Sequence, residues 1–154
     1  MLQLVQPASP ESWLVARRLV QEYAASLNFD LCFQDFAHEL ETLASEYGPP
    51  GGHFVLANWS GASVGCGGFR RFADSACEMK RVYVAPTHRG KGIGQAIAEA
   101  LVVQARQAGY TTMLLDTLPS MGAAQHVYSA LGFTPTSAYR HNPVPGATFL
   151  KLQL

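Results

Sequence analysis

Between Val82 and Leu101 the chain reads VYVAPTHRGKGIGQAIAEAL, with glycines at Gly90, Gly92 and Gly94. A β-branched run precedes the glycines and a helix-like run follows them. Where a strand becomes a helix, the first N–H groups of the helix have no intrahelical acceptor, and the helix dipole makes that end attractive to anions. Glycine removes the side chains that would hold a phosphate at a distance. Arg89 to Gly94 therefore reads as a phosphate cradle.

Three kinds of phosphate loop compete for this stretch. A Walker A loop needs Ser or Thr after Gly-Lys, but Gly92 follows Gly90-Lys91. A dinucleotide fingerprint needs a third glycine where Gln95 stands. Asp116 has about the right spacing for a ribose-binding acid, yet too little chain follows to complete a doubly wound sheet. A nicotinamide dinucleotide-binding enzyme therefore stays as the weaker alternative. The third pattern, Arg/Gln-x-x-Gly-x-Gly/Ala, is met by Arg89, Gly92 and Gly94.

The elements around this loop follow from periodicity. Residues 2–5 suit a short strand. Ser9-Pro10-Glu11 starts a helix with a cap, a first-turn proline and an acid near the dipole, and Trp13, Ala16, Val20, Tyr23, Ala24 and Leu27 form its stripe. A second helix is expected near 34–47, with Phe36, Leu40, Leu43 and Tyr47 on one face, ending at the Gly48–Gly52 stretch. Strands follow at 53–58, 63–72 and 77–84. Alternation then places Glu78, Lys80, Val82 and Val84 on one strand face. The glycine helix runs to about Ala108, with Ile93, Ile97, Ala100 and Leu101 on one side and Gly109 as its C-cap. A buried strand at 111–117, a helix at 121–131 and strands near 134–140 and 147–153 complete the chain. The order predicts one α/β (α+β) domain over 1–154, with a mixed, mostly antiparallel sheet and helices on both faces.

Composition narrows the class further. The chain has 154 residues, 48% of them apolar and 14% charged, with zero formal net charge. That suits a globular domain and gives no electrostatic footprint for nucleic acid or an anionic membrane. No apolar run reaches membrane-spanning length, and the first residues lack a signal-peptide pattern, so a cytoplasmic location is expected. Cys32, Cys66 and Cys77 share no metal spacing and read as reduced, buried thiols. His38, His53, His88, His126 and His141 show no metal spacing either and read as surface or capping residues.

At this point the sequence resembles the GNAT superfamily of N-acetyltransferases. MKRVYVAPTHRGKGIG looks like the fourth strand and pyrophosphate loop of that family. AAQHVYSALGF looks like its later helix, with Ala124, Tyr128, Gly132 and Phe133 in the familiar places. The second half carries the resemblance closely, and the first half carries it in element order. It implies a GNAT-like acyl-CoA N-acyltransferase fold and acetyl-CoA as co-substrate. It places the coenzyme on the backbone of Val82 and Val84, on Arg89, Gly90, Lys91, Gly92, Ile93 and Gly94, and near Ala124 and Tyr128. A solvated Lys91 is an equal reading.

Acyl transfer needs the amine to lose a proton, donors for the oxyanion and a proton for the leaving thiolate. The resemblance assigns the last to Tyr128, and the first to Glu78 or to a water. The N–H of Val84 would polarise the thioester carbonyl. One departure is Met121, where the family often has an asparagine that touches the coenzyme arm; Ser120 is a substitute by position only.

The acceptor is less legible. LNFDLCFQDF, Leu27 to Phe36, could line its pocket, with Asp30 or Asp35 drawing a cationic amine. Alternation sends one of Arg70 and Arg71 inward, where it could meet an acceptor carboxylate. The expected activity is acetyl transfer to a primary amine of a small molecule, an amino acid-like compound or a peptide, by direct attack in a ternary complex. A non-catalytic acyl-CoA-binding sensor is the alternative. The tail strands, with ATFLKLQL, offer a sheet edge for a homodimer.

Overall fold

The computed structural model describes residues 1–27, 31 and 35–154 of the chain. Ser9 and Ser12 form a reciprocal capping box, each side chain bonded to the other's backbone N–H, and Pro10 takes the first turn. These residues start α1 (Pro10–Ser26), which follows β1 (Leu2–Val5). The expected second helix is two short ones, α2 (Phe36–Glu41) and α3 (Leu43–Glu46). Thr42 separates them, with φ −120° and an N–H shared between His38 O and Glu39 O. Next come β2 (His53–Trp59), β3 (Ala62–Ala73), β4 (Ala76–Val84), a 3-10 turn at Pro86–His88 and α4 (Ile93–Gln107). The chain ends with β5 (Thr112–Thr117), α5 (Gly122–Leu131), β6 (Thr134–Thr136) and β7 (Thr148–Gln153).

The strands form one seven-stranded sheet in the order β1-β2-β3-β4-β5-β7-β6. Only β4 and β5 pair in parallel, joined by the α4 crossover, and the other pairs are antiparallel. This is the mixed, mostly antiparallel sheet expected from element order, and it leaves no doubly wound sheet for a dinucleotide. One core layer packs Ile93, Ile97, Leu101 and Ala105 of α4 with Phe69, Met79, Met113 and Leu115 of the sheet. The other packs Ala16, Leu19 and Val20 of α1 with Tyr47, Phe54 and Tyr83. At Gly67 a Cβ would stand 2.7 Å from Ile97, so glycine lets α4 lie directly on β3.

Two expectations about the tail need correction. The tail does supply a sheet edge, but at β6; the ATFLKLQL segment lies inside the sheet, because β7 stands between β5 and β6. The sheet edges are the four residues of β1 and the three of β6. The strand expected over 134–140 stops at Thr136, because Tyr139 and Arg140 leave the sheet to meet Glu78.

Alternation along β4 also fails, and the cause is local. Cys66 pairs with Tyr83 and Gly68 with Lys80, so Arg81 and Val82 together stand opposite Gly67. This is a β-bulge, and Arg81 has φ +64°. The bulge resets the period of two. Val82 and Val84 join Cys77 and Met79 on the α4 face, and Glu78 and Lys80 lie on the opposite one.

Candidate active site

The pairing of β4 with β5 covers only Ala76–Glu78 opposite Thr112–Leu114. Beyond it a cleft of about 930 Å³ opens, lined by Val82, Tyr83 and Val84 on one wall and Leu118 to Ala124, Val127 and Tyr128 on the other. Ala85 donates its N–H to Val64 O on β3. Since successive strand residues direct their backbone groups to opposite sides, Val84 and Val82 direct theirs toward the cleft. An extended ligand arm has an unpaired strand edge to lie along.

The glycine turn closes one end of this cleft. Gly92 is the N-cap of α4 at φ +77°, and the first acceptor bond of the helix runs from Ala96 N–H to Gly92 O. Ile93, Gly94 and Gln95 therefore carry the first-turn N–H groups, and all three line the cleft with Arg89, Gly90 and Gly92. Arg89 Nε donates to Val84 O at 2.9 Å, tying the turn to the end of β4. Lys91 is turned elsewhere, with its ammonium 5.3 Å from the Trp59 ring centroid. At that distance the ammonium is attracted by the ring face.

Tyr128 sits on α5 and lines the same cleft, 8% exposed and edge-on to Phe133 at 5.7 Å. Burial raises its pKa, and the neighbouring Tyr23 and Asp116 add to this, so the phenol keeps its proton. Ala124 lies on the same wall, as do Ser120 and Met121, which stands where an asparagine was expected. Asp116 accepts from Asn142 Nδ2 at 3.0 Å, a structural partner in place of a ribose.

A second cleft of about 420 Å³ is lined almost entirely by charge: Asp35, His38, Glu39, Glu46, Arg70, Arg71 and Arg140, with Phe72. Glu78 is 1% exposed, and both its oxygens are engaged. Tyr139 donates its hydroxyl to Oε2 at 2.8 Å, and Arg140 Nη2 donates to Oε1 at 2.6 Å. Arg70 points inward to Glu46 (2.7 Å) and Glu39 (3.4 Å), whereas Arg71 points outward to Asp74. Alternation thus divides the two arginines as expected. Arg140 Nε is buried with no hydrogen-bond partner, a state that costs about 1–3 kcal/mol where it is not relieved.

A buried ion pair touches the linings of both clefts. Arg81 Nε and Nη2 grip Glu39 at 2.7 and 3.0 Å, with both side chains 2% exposed. Burial alone would raise the pKa of Glu39, but the hydrogen bonds and charge of Arg81 outweigh it and hold the carboxyl below its usual value. The guanidinium also lies 5.8 Å over Tyr23, which lines the larger cleft, and 5.2 Å over Phe36. These contacts keep the bulge residue in a left-handed conformation that an unbranched side chain adopts only at a cost. Sequence periodicity passed over both partners. Their signal was the charged run Glu78, Lys80, Arg81 inside an otherwise apolar strand.

Other sequence candidates are dispersed. Asp35 lies at the rim of the charged cleft, while Asp30 and Cys32 fall outside the described residues. His38 lines that cleft and His88 the larger one, so these two histidines have a place beyond surface or capping roles. Cys66 and Cys77 are buried free thiols, and burial pushes both up, Cys77 to about 12. Such thiols are poor nucleophiles at neutral pH. No helix among the described residues is long and apolar enough to cross a membrane.

A mixed sheet that splays between its parallel strands, with a glycine turn at the mouth and a buried tyrosine on the facing helix, defines an acyl-CoA-dependent acyltransferase. The comparisons agree. The sequence pattern of the acetyltransferase (GNAT) family matches residues 14–133, and the chain belongs to that family. It is 36% identical over 140 residues to an uncharacterized N-acetyltransferase of Schizosaccharomyces pombe, covering 90% of this chain and 86% of that protein. It is 32% identical over 105 residues to N-acetylaspartate synthetase of Xenopus tropicalis, covering 68% of this chain and 39% of that one. A Salmonella typhimurium protein assigned as an acetyltransferase, solved with its cofactor acetyl-CoA, has the same fold. Its TM-score is 0.71 at 20% identity, over 99% of this chain and 94% of that one. The activity of the family is N-acetyl transfer from acetyl-CoA.

Proposed function

We propose that this enzyme acetylates the amine of a small, amino acid-like acceptor by direct attack in a ternary complex. The observation that carries this reading is the open β4 edge facing Tyr128 across the larger cleft, with the α4 N-terminus at its mouth. The first-turn N–H groups of α4 and Arg89 hold the pyrophosphate, and the backbone of Val82 and Val84 pairs with the pantetheine arm. The Val84 N–H polarises the thioester carbonyl. The acceptor nitrogen attacks that carbon, and a tetrahedral oxyanion forms. The C–S bond then breaks, and Tyr128 donates its proton to the departing thiolate.

The proton of the amine passes to water. Glu78 was the other candidate, but its oxygens already accept from Tyr139 and Arg140, and it lines neither cleft. Its role is to hold those two side chains in place. Among the described residues acyl transfer through a cysteine has no support, since Cys66 and Cys77 are buried and protonated. The name of the Xenopus relative, a synthetase of an acetylated amino acid, favours an amino acid-like acceptor.

The test is release of coenzyme A thiol from acetyl-CoA across polyamines, free amino acids, aminoglycosides and short peptides, with Tyr128→Phe alongside. Release with one acceptor class, strongly reduced in the variant, supports the enzyme. Tight acetyl-CoA binding without release for any acceptor would favour a sensor, and no binding would defeat the reading.

A further inference from the structure

We infer that the acceptor carries a carboxylate beside its amine, as a free amino acid does, and that Arg140 with Arg70 recognises it in the charged cleft. This rests on the transferase reading above and specifies its second substrate.

The balance of donors and acceptors in that cleft points to an anionic group. The buried and half-buried acids are already matched. Glu39 is gripped by Arg81, Glu46 accepts from Arg70, and Glu78 accepts from Tyr139 and Arg140. Asp35 is solvated at the rim. The unmatched group is a donor, Arg140 Nε, buried without an acceptor. Arg140 contributes its Nη2 to Glu78, so one edge of the guanidinium is anchored while the neighbouring donor is unspent. A carboxylate entering the cleft supplies the missing acceptor in the geometry that guanidinium groups favour. Arg70 is half-buried in the same lining, and its Nε lies 3.9 Å from Glu78 Oε1, the oxygen that Arg140 bonds. A purely cationic acceptor would instead meet Arg70 and Arg140, with no spare acid among the buried groups of the described residues.

Position supports the same assignment. The segment between β6 and β7 places Arg140 in the charged cleft and, a few residues on, Val144 and Pro145 in the coenzyme cleft. Arg140 is fixed within the segment by its stack on Tyr139 and Phe72, 5.5 and 5.8 Å from the ring centroids. Glu39 of the charged cleft and Tyr23 of the larger cleft both meet Arg81, so the two spaces share a boundary residue. An acceptor anchored by its carboxylate at Arg140 directs its amine toward that boundary. No periodicity argument finds Arg140, because it lies where the sequence suggests a strand.

The experiment measures kcat/KM for L-alanine and L-phenylalanine, each against the amine lacking its carboxylate (ethylamine and phenethylamine), with L-aspartate as a further acceptor and spermidine as a cationic competitor. The best amino acid is expected to exceed its decarboxylated partner by at least about 100-fold, as sites built to bond a polar group reject analogues that lack it. In Arg140→Gln that ratio collapses, mainly through a higher KM for the amino acid, and Arg140→Lys restores part of it. Equal rates for the paired amines, a preference for spermidine, or a ratio untouched in Arg140→Gln overturns the inference. The wild-type ratio decides the question even if the variant fails to fold. Calorimetric titration with acetyl-CoA separates the two levels. Absent binding defeats the transferase reading, whereas binding with transfer to no amino acid defeats only this one.

Discussion

Arg140 and Glu78 lie 62 residues apart in the chain and meet at 2.6 Å, with the carboxylate held under Tyr139 as well. A buried carboxylate with two strong donors is a fixture around which neighbouring groups are arranged. We propose that this relationship makes Glu78 a positioning residue rather than the base. In Glu78→Gln the acceptor KM should rise about tenfold or more while kcat falls less, because Arg140 loses its charged anchor. The alkaline and acid limbs of the kcat profile should be unchanged. A hundredfold fall in kcat with loss of the acid limb would return Glu78 to the role of base.

The turn is tested by two neighbouring glycines. Gly92 has φ +77°, so Gly92→Ala should lower stability by about 1 kcal/mol, the cost of left-handed backbone for a residue with a Cβ. At Gly94 a Cβ meets only Val84 Cγ2, at 3.8 Å, and Gly94→Ala should leave the melting temperature unchanged. Gly92→Glu adds a negative side chain to the proposed pyrophosphate seat, so acetyl-CoA affinity should fall at least about tenfold by calorimetry.

Tyr128→Phe keeps the ring in its packing against Phe133 and removes only the hydroxyl. Acetyl-CoA Kd should be retained and kcat reduced by about 100-fold, within the range of a lost general acid. Because burial raises the phenol's pKa above its ordinary value of 10.0, the wild-type rate should show no alkaline loss from this group up to that pH. A full rate in Tyr128→Phe would remove the acid assignment.

Lys80 gives the protein a pH signature of its own. Burial, with the Arg81 charge beside it, lowers its pKa from 10.5 to about 8. Between those values the unfolded chain holds more protons than the folded one, so this group's contribution to stability rises with pH through that window. The raised thiol pKa of Cys77 and Cys66 acts in the opposite sense above pH 9. Chemical denaturation of wild type and Lys80→Met in parallel cancels the thiols. The wild type should gain on the variant from pH 8 to 10.5, and a constant difference would show that Lys80 is charged in the fold.

Local chemistry was readable wherever it was carried by neighbours in the chain. The Ser9 cap, the Arg89 to Gly94 turn, α4 with its inward Ile93, Ile97 and Leu101, and the split of Arg70 from Arg71 each depend on residues within a few positions of one another. Hydrogen bonding and side-chain periodicity act over that range. The glycine pattern together with Tyr128 was enough to point to the family.

Tertiary structure decided what depends on partners far along the chain. Arg81 breaks the alternation of β4 because Glu39, Tyr23 and Phe36 hold it in a left-handed bulge, and no rule of period two contains those residues. Lys91 is not in the lining of the larger cleft, and its ammonium lies by the ring face of Trp59 of β2. The sheet order encloses β7, and the Glu78 carboxylate draws Tyr139 and Arg140 out of a strand. Buried charge must find its counter-charge wherever the fold brings one, so the composition of the charged cleft is a property of packing that a linear reading does not contain.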